Sequence, residues 1–123
     1  TVEVQTVAAS TIADSISVDL PRDGLAAVKA VIQSGGEAIT VPDQEILTAI
    51  PEMASAAGVF PEPAAATPWA VVKKMVREQQ VSKDELLVCI VTGSGLKDIT
   101  NARSAVGGPR VIEPSLEAVR GTV

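Results

Sequence analysis

Residues 92–98, Thr-Gly-Ser-Gly-Leu-Lys-Asp, have the composition of a ligand-binding loop. They follow an aliphatic run at residues 86–91, and open parallel sheets bind ligands at the carboxyl ends of their strands. Gly93 and Gly95 allow backbone amides to approach an anion closely. The spacing does not match a phosphate-binding GxxxxGK(S/T) loop. A GxGxxG dinucleotide fingerprint does not match either, because Asp98 replaces the required small residue. Taken alone, such a loop is more often a plain strand-to-helix turn than a binding site.

Glu62 lies between Pro61 and Pro63 and is followed by three alanines, residues 64–66. An acidic residue at a helix entrance interacts favourably with the helix dipole, and proline is favoured in the first turn. The alternative is a carboxylate held rigidly between prolines, with small neighbours that leave room for a flat ligand. The spacing alone favours the first interpretation.

Residues 11–16, Thr-Ile-Ala-Asp-Ser-Ile, place polar side chains among small ones. This pattern fits either a substrate-facing loop or a turn with local Asx-type hydrogen bonds. Lys97 carries an amine of the kind used in covalent catalysis, but its neighbour Asp98 favours a structural ion pair instead. Cys89 lies inside the aliphatic run, which predicts an inert cysteine in the core.

The composition argues against several classes of function. The chain contains no His, which removes a Ser-His-Asp relay and any imidazole ligand, so no metal site is predicted. A single cysteine cannot form an internal disulfide, which favours a reducing, cytoplasmic setting. The net charge of −5 and the 2% aromatic content argue against nucleic-acid binding. A membrane span is not predicted, because it needs an apolar run of about 20 residues.

An apolar fraction of 46% in 123 residues predicts one domain, residues 1–123, with a packed core. Neither a signal sequence nor an initiator Met stands at Thr1, so we expect a piece of a longer or processed protein. Alternating helical and strand-like segments predict an α/β layered fold. The predicted helices cover residues 23–34, 43–57, 63–80 and 114–120, and the predicted strands cover residues 38–41, 86–91 and 110–112. Helical spacing directs apolar faces at the core, at Leu25, Val28 and Ile32 of the first helix and at Trp69, Val72 and Val76 of the third.

Three segments together resemble one enzyme family. Residues 11–16, residues 58–64 (Gly-Val-Phe-Pro-Glu-Pro-Ala) and residues 91–98 (Val-Thr-Gly-Ser-Gly-Leu-Lys-Asp) resemble the C-terminal part of threonine synthases. These enzymes depend on pyridoxal phosphate and share their fold with tryptophan synthase β chains, cysteine synthases and threonine deaminases. The resemblance, in order from about residue 11 to residue 112, implies a three-layer αβα fold with a mostly parallel sheet. This chain would form an incomplete version of it, the C-terminal half of the large domain.

The resemblance also implies a role for each residue of a cofactor site. Thr92 corresponds to the hydroxyl residue that faces the pyridine nitrogen of pyridoxal phosphate, and a neutral hydroxyl does not force that nitrogen to stay protonated. Gly93 and Gly95 would let the backbone pass close to the edge of the ring. Glu62 corresponds to a carboxylate near the cofactor.

Residues 11–16 would approach the substrate, with Thr11 and Ala13 on the substrate side. In the family, the lysine that binds the cofactor covalently and the loop that holds its phosphate lie in the N-terminal half, and neither motif occurs here. The chain alone is therefore predicted to have no turnover and little affinity for the cofactor. Pro68, in what is usually an uninterrupted helix, departs from the family pattern.

Three functions fit these observations. In the first, the chain is the C-terminal part of a threonine synthase, which converts the small molecule O-phosphohomoserine and water to threonine and phosphate. In the second, it is the C-terminal part of a related threonine or serine deaminase or of a β-replacement enzyme. In the third, it is a non-catalytic α/β domain that forms homo-oligomers or binds a partner through an exposed apolar surface. The resemblance favours the first.

Overall fold

A computed structural model describes residues 3–122 of the chain. Five α-helices and two 3₁₀ turns form the regular structure of these residues. The helices are α1 (Gly24–Ser34), α2 (Asp43–Ala57), α3 (Pro63–Arg77), α4 (Ile99–Val106) and α5 (Leu116–Arg120). The 3₁₀ turns are Asp14–Ile16 and Gly95–Lys97.

The core lies where α2 packs against α3 and the first 3₁₀ turn packs against α3. The residues that face each other are small, so the backbones approach closely and leave little void. The buried members are Ala13, Ile46, Ala49, Ile50, Ala64, Ala66 and Ala70, with Ile12, Val41, Leu47, Met53 and Trp69 packed around them. The predicted boundaries of α2 and the predicted start of α3 at Pro63 are confirmed.

The α2–α3 contact also carries an ion pair. Lys73 Nζ lies 2.6 Å from Glu52 Oε1, and the indole Nε1 of Trp69 donates to Glu52 Oε2 at 3.1 Å. The hydrogen bond from Lys73 is the main reason why the pKa of Glu52 lies below its ordinary value of 4.5, although partial burial acts in the opposite direction. The pair therefore links the two helices of the core through a group that stays ionised at neutral pH.

The predicted strands do not form within residues 3–122. Residues 38–41, 86–91 and 110–112 have no regular secondary structure, and the β-pairing of the described residues is a single isolated bridge between Pro61 and Ser94. A strand forms only when a neighbouring strand accepts its hydrogen bonds, and within the part of the chain that the structure describes no strand pairs with residues 86–91. Leu86 and Val88 are consequently 91% and 80% exposed. The partly exposed Cys89 is likewise outside the core, contrary to the prediction.

Helix α1 begins and ends where predicted, but its apolar face does not pack. Gly35 ends it in the left-handed conformation, at a φ of 68°, which glycine adopts readily at the end of a helix. Leu25, Val28 and Ile32 are 48%, 39% and 64% exposed, because no layer covers this side of the helix within the described residues. The predicted core stripe of α3 is also only partly correct: Trp69 packs against the core, whereas Val76 is 57% exposed.

Helix α4 was not predicted. Asp98 caps it by accepting a hydrogen bond from the Asn101 amide at 3.1 Å, and the helix packs against α2. None of the helices found between residues 3 and 122 is both long and apolar enough to cross a membrane. The chain exposes 9228 Å², against about 6200 Å² for a compact monomer of its mass. A large apolar surface is therefore open.

Candidate functional site

The Glu62 carboxylate is the buried charged group of the molecule's described part. Glu62 occupies the N-cap position of α3, yet its side chain makes no capping hydrogen bond to that helix. The residue is 5% exposed, and its Oε2 accepts a hydrogen bond from Ser15 Oγ at 3.1 Å. Lys97 Nζ donates to Oε1 at 3.1 Å. Side-chain contacts with Ser15 and Lys97, and not a capping hydrogen bond to α3, therefore hold the carboxylate in place.

Residues 92–98 lie directly against the segment that leads into α3. The Glu62 amide donates to the Gly93 carbonyl at 3.1 Å, and the Gly95 amide donates to the Phe60 carbonyl at 2.8 Å. These two bonds form the isolated antiparallel bridge around Pro61 and Ser94. The residues before and after the bridge therefore face each other in a fixed register.

Both glycines of this loop are required by close approach. A Cβ atom built on Gly93 would overlap the Glu62 carboxylate, and one built on Gly95 would lie 2.5 Å from the Phe60 ring. The end of a glutamate side chain can usually move aside, but this one is buried and bound by Ser15 and Lys97. The absence of side chains at these two positions therefore makes room for Glu62 and Phe60 of the chain itself.

The segment at residues 11–16 is anchored from below by α2. Thr11 Oγ1 donates to Asp43 Oδ1 at 2.6 Å, and the Ile12 amide donates to Asp43 Oδ2 at 3.1 Å. Asp43 is the first residue of α2, Pro42 is the cap residue, and the Asp43 carboxylate binds this segment. Ala13 is fully buried in the core. Its burial turns the next residues, Asp14 and Ser15, towards the loop at residues 92–98.

A cavity of about 330 Å³ lies where the three segments meet. Its lining residues are Asp14, Ser15, Glu62, Pro63, Ala64, Lys97 and Asp98. Three of these side chains are carboxylates and one is an ammonium, so the electrostatic environment favours cationic or neutral polar groups over a phosphate. Asp98 is additionally occupied at the start of α4, where its Oδ2 accepts from Asn101 Nδ2 at 2.7 Å.

A second, larger cavity of about 580 Å³ lies between α2 and α4. Its wall is mostly apolar, formed by residues such as Ile50, Phe60, Ile99 and Val106, with Arg103 as its one charged lining residue. It shares no lining residue with the polar cavity. Its chemistry offers an apolar surface rather than acid–base groups.

The structure brings together some of the predicted site residues and separates others. Glu62, Gly93 and Gly95 lie in direct contact with the same short bridge. Thr92 is exposed and directly precedes Gly93 in the chain. Thr11 is half-buried, and the side chain of Ala13 lies within the core instead of on the cavity wall.

Sequence reasoning missed Ser15 as a partner of Glu62. The prediction that Lys97 forms an ion pair is confirmed, but its partner is Glu62, 35 residues away, and not the adjacent Asp98. No local pattern marks Ser15, because its partner lies 47 residues further along the chain. For Asp98, the signal was available, because aspartate is one of the residues preferred at the N-cap of a helix.

Comparison with known proteins places these segments in a family. The family described as "Pyridoxal-phosphate dependent enzyme" matches residues 1–93, about three quarters of the chain. The chain belongs to this family. Membership supports a layered αβα fold of the tryptophan synthase β type for the family, whereas residues 3–122 of this chain are helical and contain no strand.

Several curated relatives are similar to most of the chain. The threonine synthase of Methanocaldococcus jannaschii is 39% identical over 110 residues, or 89% of this chain and 27% of the relative. The threonine synthase of Methanosarcina acetivorans is 34% identical over 92% of the chain and 28% of the relative. That of Halalkalibacterium halodurans is 36% identical over 87% of the chain and 30% of the relative. The chain thus spans less than a third of the length of these relatives.

Proposed function

We propose that this chain supplies the C-terminal part of a threonine synthase, which converts O-phosphohomoserine and water to threonine and phosphate with pyridoxal phosphate. The contact between the buried Glu62 carboxylate and Gly93, beside the exposed Thr92, carries the proposal. It joins two segments that the resemblance assigns to the cofactor site. The names of the relatives, which match 87–92% of the chain, support the same activity.

The residues present fit one side of a pyridine ring. Thr92 carries an exposed hydroxyl, which can donate to or accept from a ring nitrogen. The Glu62 carboxylate and the Phe60 ring fill the spaces beside Gly93 and Gly95, so a planar group would meet this loop at Thr92. When bound, the cofactor supplies an electron sink for the substrate carbon. Thr92 would orient its ring through a neutral hydrogen bond, and the fixed Glu62 would set the charge at that edge.

The charge of the cavity also indicates what this chain does not hold. Three carboxylates around one ammonium disfavour the phosphate of the cofactor or of the substrate. Lys97, which is engaged by Glu62, is poorly placed to bind the cofactor covalently. We therefore propose that the covalent lysine and the phosphate loop come from another part of the enzyme. The chain alone is then inactive and gives no lysine-dependent absorbance band with added pyridoxal phosphate.

For the substrate side, the geometry supports an indirect role for two predicted residues. Thr11 is bound to Asp43 and Ala13 packs in the core, so both position the segment rather than contact a ligand. Asp14 and Ser15 are the members of this segment on the cavity wall. We propose that they face the substrate when the active site is complete.

The exposed aliphatic run supports a further part of the proposal, that the chain associates through residues 86–91. Leu86, Val88 and Ile90 are 91%, 80% and 71% exposed, and apolar surface of this extent drives association. In a complete enzyme these residues would become a strand of the αβα sheet. Light scattering on the isolated chain tests the idea: homo-oligomers are expected, and a monomer at high concentration contradicts it.

A chimaera tests the activity. The chain replaces the matching C-terminal part of the Methanocaldococcus jannaschii threonine synthase, and phosphate release from O-phosphohomoserine is measured. We expect turnover, and a loss of at least tenfold in kcat/KM in the Thr92→Ala chimaera because the ring loses its hydrogen bond.

Thr100→Ala, at an exposed threonine of α4, is the matched control and should keep full activity. An inactive but folded chimaera contradicts the proposal. A chimaera that deaminates threonine or serine instead of converting phosphohomoserine assigns the chain to a related deaminase.

A further inference from the structure

The contacts of Lys97 exceed those of an ordinary surface lysine. Its Nζ lies 3.1 Å from Oε1 and 3.0 Å from Oε2 of Glu62, so one ammonium contacts both oxygens. The Glu62 side chain is 6% exposed, whereas that of Lys97 is 60% exposed. A buried carboxylate needs a charged or hydrogen-bonding partner, because its charge is unfavourable away from water. Among the residues that line the cavity, Lys97 alone is cationic.

The backbone pairing between residues 92–98 and the segment that leads into α3 is short. It is one isolated bridge with two hydrogen bonds, from Glu62 to Gly93 and from Gly95 to Phe60, and the two glycines pack against the Glu62 and Phe60 side chains. A two-stranded pairing of this kind is marginal by itself in water. The preceding residues 86–91 add no regular pairing. The side-chain bond between Lys97 and Glu62 is therefore placed to decide whether the loop stays against the helix.

Local structure directs Lys97 towards Glu62. The 3₁₀ turn Gly95–Lys97 begins at Ser94, whose Oγ accepts a hydrogen bond from the Leu96 amide at 3.3 Å. The next residue, Asp98, starts α4 through its bond to Asn101. Lys97 is thus the last residue of a capped 3₁₀ turn and directly precedes the cap of α4. Both caps restrict its backbone, which reduces the entropy lost when its side chain binds.

We infer that Lys97 is a positioning residue, which holds residues 92–98 against the start of α3 by binding Glu62 and thereby fixes the place of Thr92. The role of Thr92 rests on the proposed function, but the holding of the loop does not. The inference also separates Lys97 from covalent chemistry. An ammonium bound between two carboxylate oxygens lacks the free lone pair that attack on a carbonyl requires.

Amide hydrogen exchange on the full chain, without cofactor, tests the inference. In Lys97→Met, exchange at the Gly95 and Glu62 amides should rise at least tenfold, because the bond that keeps the loop closed is lost. Lys97→Arg should restore protection to within threefold of the original chain, since a guanidinium can bind both oxygens. Lys83→Met, at an exposed lysine of the turn before the aliphatic run, is the matched control and should leave both amides unchanged.

Two outcomes overturn the inference. A rise below twofold at Gly95 and Glu62 shows that the loop is held without Lys97. An equal rise at the amides of α2 shows that Lys97 supports the whole chain instead of this loop. Should Lys97→Met fail to fold, Glu62→Gln removes the charge from the other partner with almost the same shape. It should then give the same local rise, and no rise in that variant overturns the inference.

The exchange experiment and the chimaera fail independently. Exchange at Gly95 is measured without cofactor or substrate, so a positive result stands even if the chimaera shows no threonine synthase activity. Conversely, an active chimaera whose isolated chain shows no Lys97-dependent protection retains the proposed function and loses the positioning role. In the active chimaera, Lys97→Arg should keep a larger share of kcat/KM than Lys97→Met.

Discussion

Two glutamates bind a lysine and a neutral donor in this chain, and their surroundings differ. Glu52 on α2 accepts from Lys73 and Trp69, and its side chain is 38% exposed. Glu62 at the start of α3 accepts from Lys97 and Ser15, and its side chain is 6% exposed. The first pair links two helices that already pack through apolar residues. The second links the segment at residues 11–16, the start of α3 and the loop at residues 92–98.

The difference shows that the same ion pair serves different ends depending on what surrounds it. A half-exposed pair between packed helices adds a modest increment of stability. A buried carboxylate, closed in by the backbone of Gly93, requires its partners and fixes the segments that carry them. Burial of the Glu62 charge therefore makes its stability depend on the partners that Ser15 and Lys97 supply.

The largest expected effect comes from filling the space beside Glu62. Gly93→Ala places a methyl group where the carboxylate lies, so either the loop or Glu62 must move. We expect a loss of about 1–3 kcal/mol in the free energy of unfolding, measured with urea. Gly108→Ala is the control, because its new Cβ meets only the Arg103 side chain at 3.6 Å. Equal stabilities of the Gly93→Ala and Gly108→Ala variants would contradict the close packing of Gly93 against Glu62.

The next effect compares the two carboxylates directly. Glu62→Gln removes the charge from the buried member of its pair, weakens the hydrogen bonds from Lys97 and Ser15, and should lower the free energy of unfolding by about 1–2 kcal/mol. Glu52→Gln, in the partly exposed pair, should lower it by about 0.2–1 kcal/mol. Urea unfolding at pH 7 measures both. A larger loss from Glu52→Gln would reverse the ranking of the two sites.

A pH titration sharpens the description of Glu52. Its pKa is lowered in the folded chain, chiefly by the hydrogen bond from Lys73. The stabilisation is therefore fully present above the ordinary value of 4.5 and is lost as the pH falls through the lower folded value. The stability difference between the original chain and Glu52→Gln should be constant near pH 6–7 and shrink below pH 4.5. A difference that grows in acid contradicts the assigned direction.

The smallest effect is expected at Ser15. Ser15→Ala removes the hydroxyl that donates to Glu62 Oε2, but water can replace it because Ser15 is exposed. We expect a loss of about 0.5 kcal/mol or less in thermal unfolding. Ser10→Ala, at an exposed serine outside the network, should have no measurable effect. A loss at Ser15 as large as that of Glu62→Gln would make the hydroxyl the dominant partner.

The helices were largely predictable, since their signals are local. Apolar spacing, the proline at position 63 and the glycines at positions 35 and 58 set the bounds of α1, α2 and the start of α3. Strand formation at residues 86–91 was not predictable in the same way. It depends on a neighbouring strand, and an aliphatic run looks the same whether or not that neighbour is present.

The candidate site was predictable only through resemblance. Nothing in the spacing brings Ser15, Glu62 and Lys97 together, because tertiary packing alone joins residues 35 and 47 positions apart. The resemblance identified Glu62 and Gly93 as parts of one site, and the structure places them in contact. It did not identify Ser15, and it placed Ala13 at the substrate where the structure buries it in the core.

The register of the short bridge has a consequence for how these positions can vary. Phe60 and Glu62 alternate along one extended segment, and Gly95 and Gly93 lie opposite them. Phe60 packs against Gly95 and Glu62 packs against Gly93, so each pair combines one large side chain with one glycine. A protein engineer who wishes to enlarge position 95 must first shrink position 60. A larger residue at position 93 or 95 therefore requires a smaller residue at its partner position, 62 or 60. A library of single substitutions at these four positions will miss such combinations.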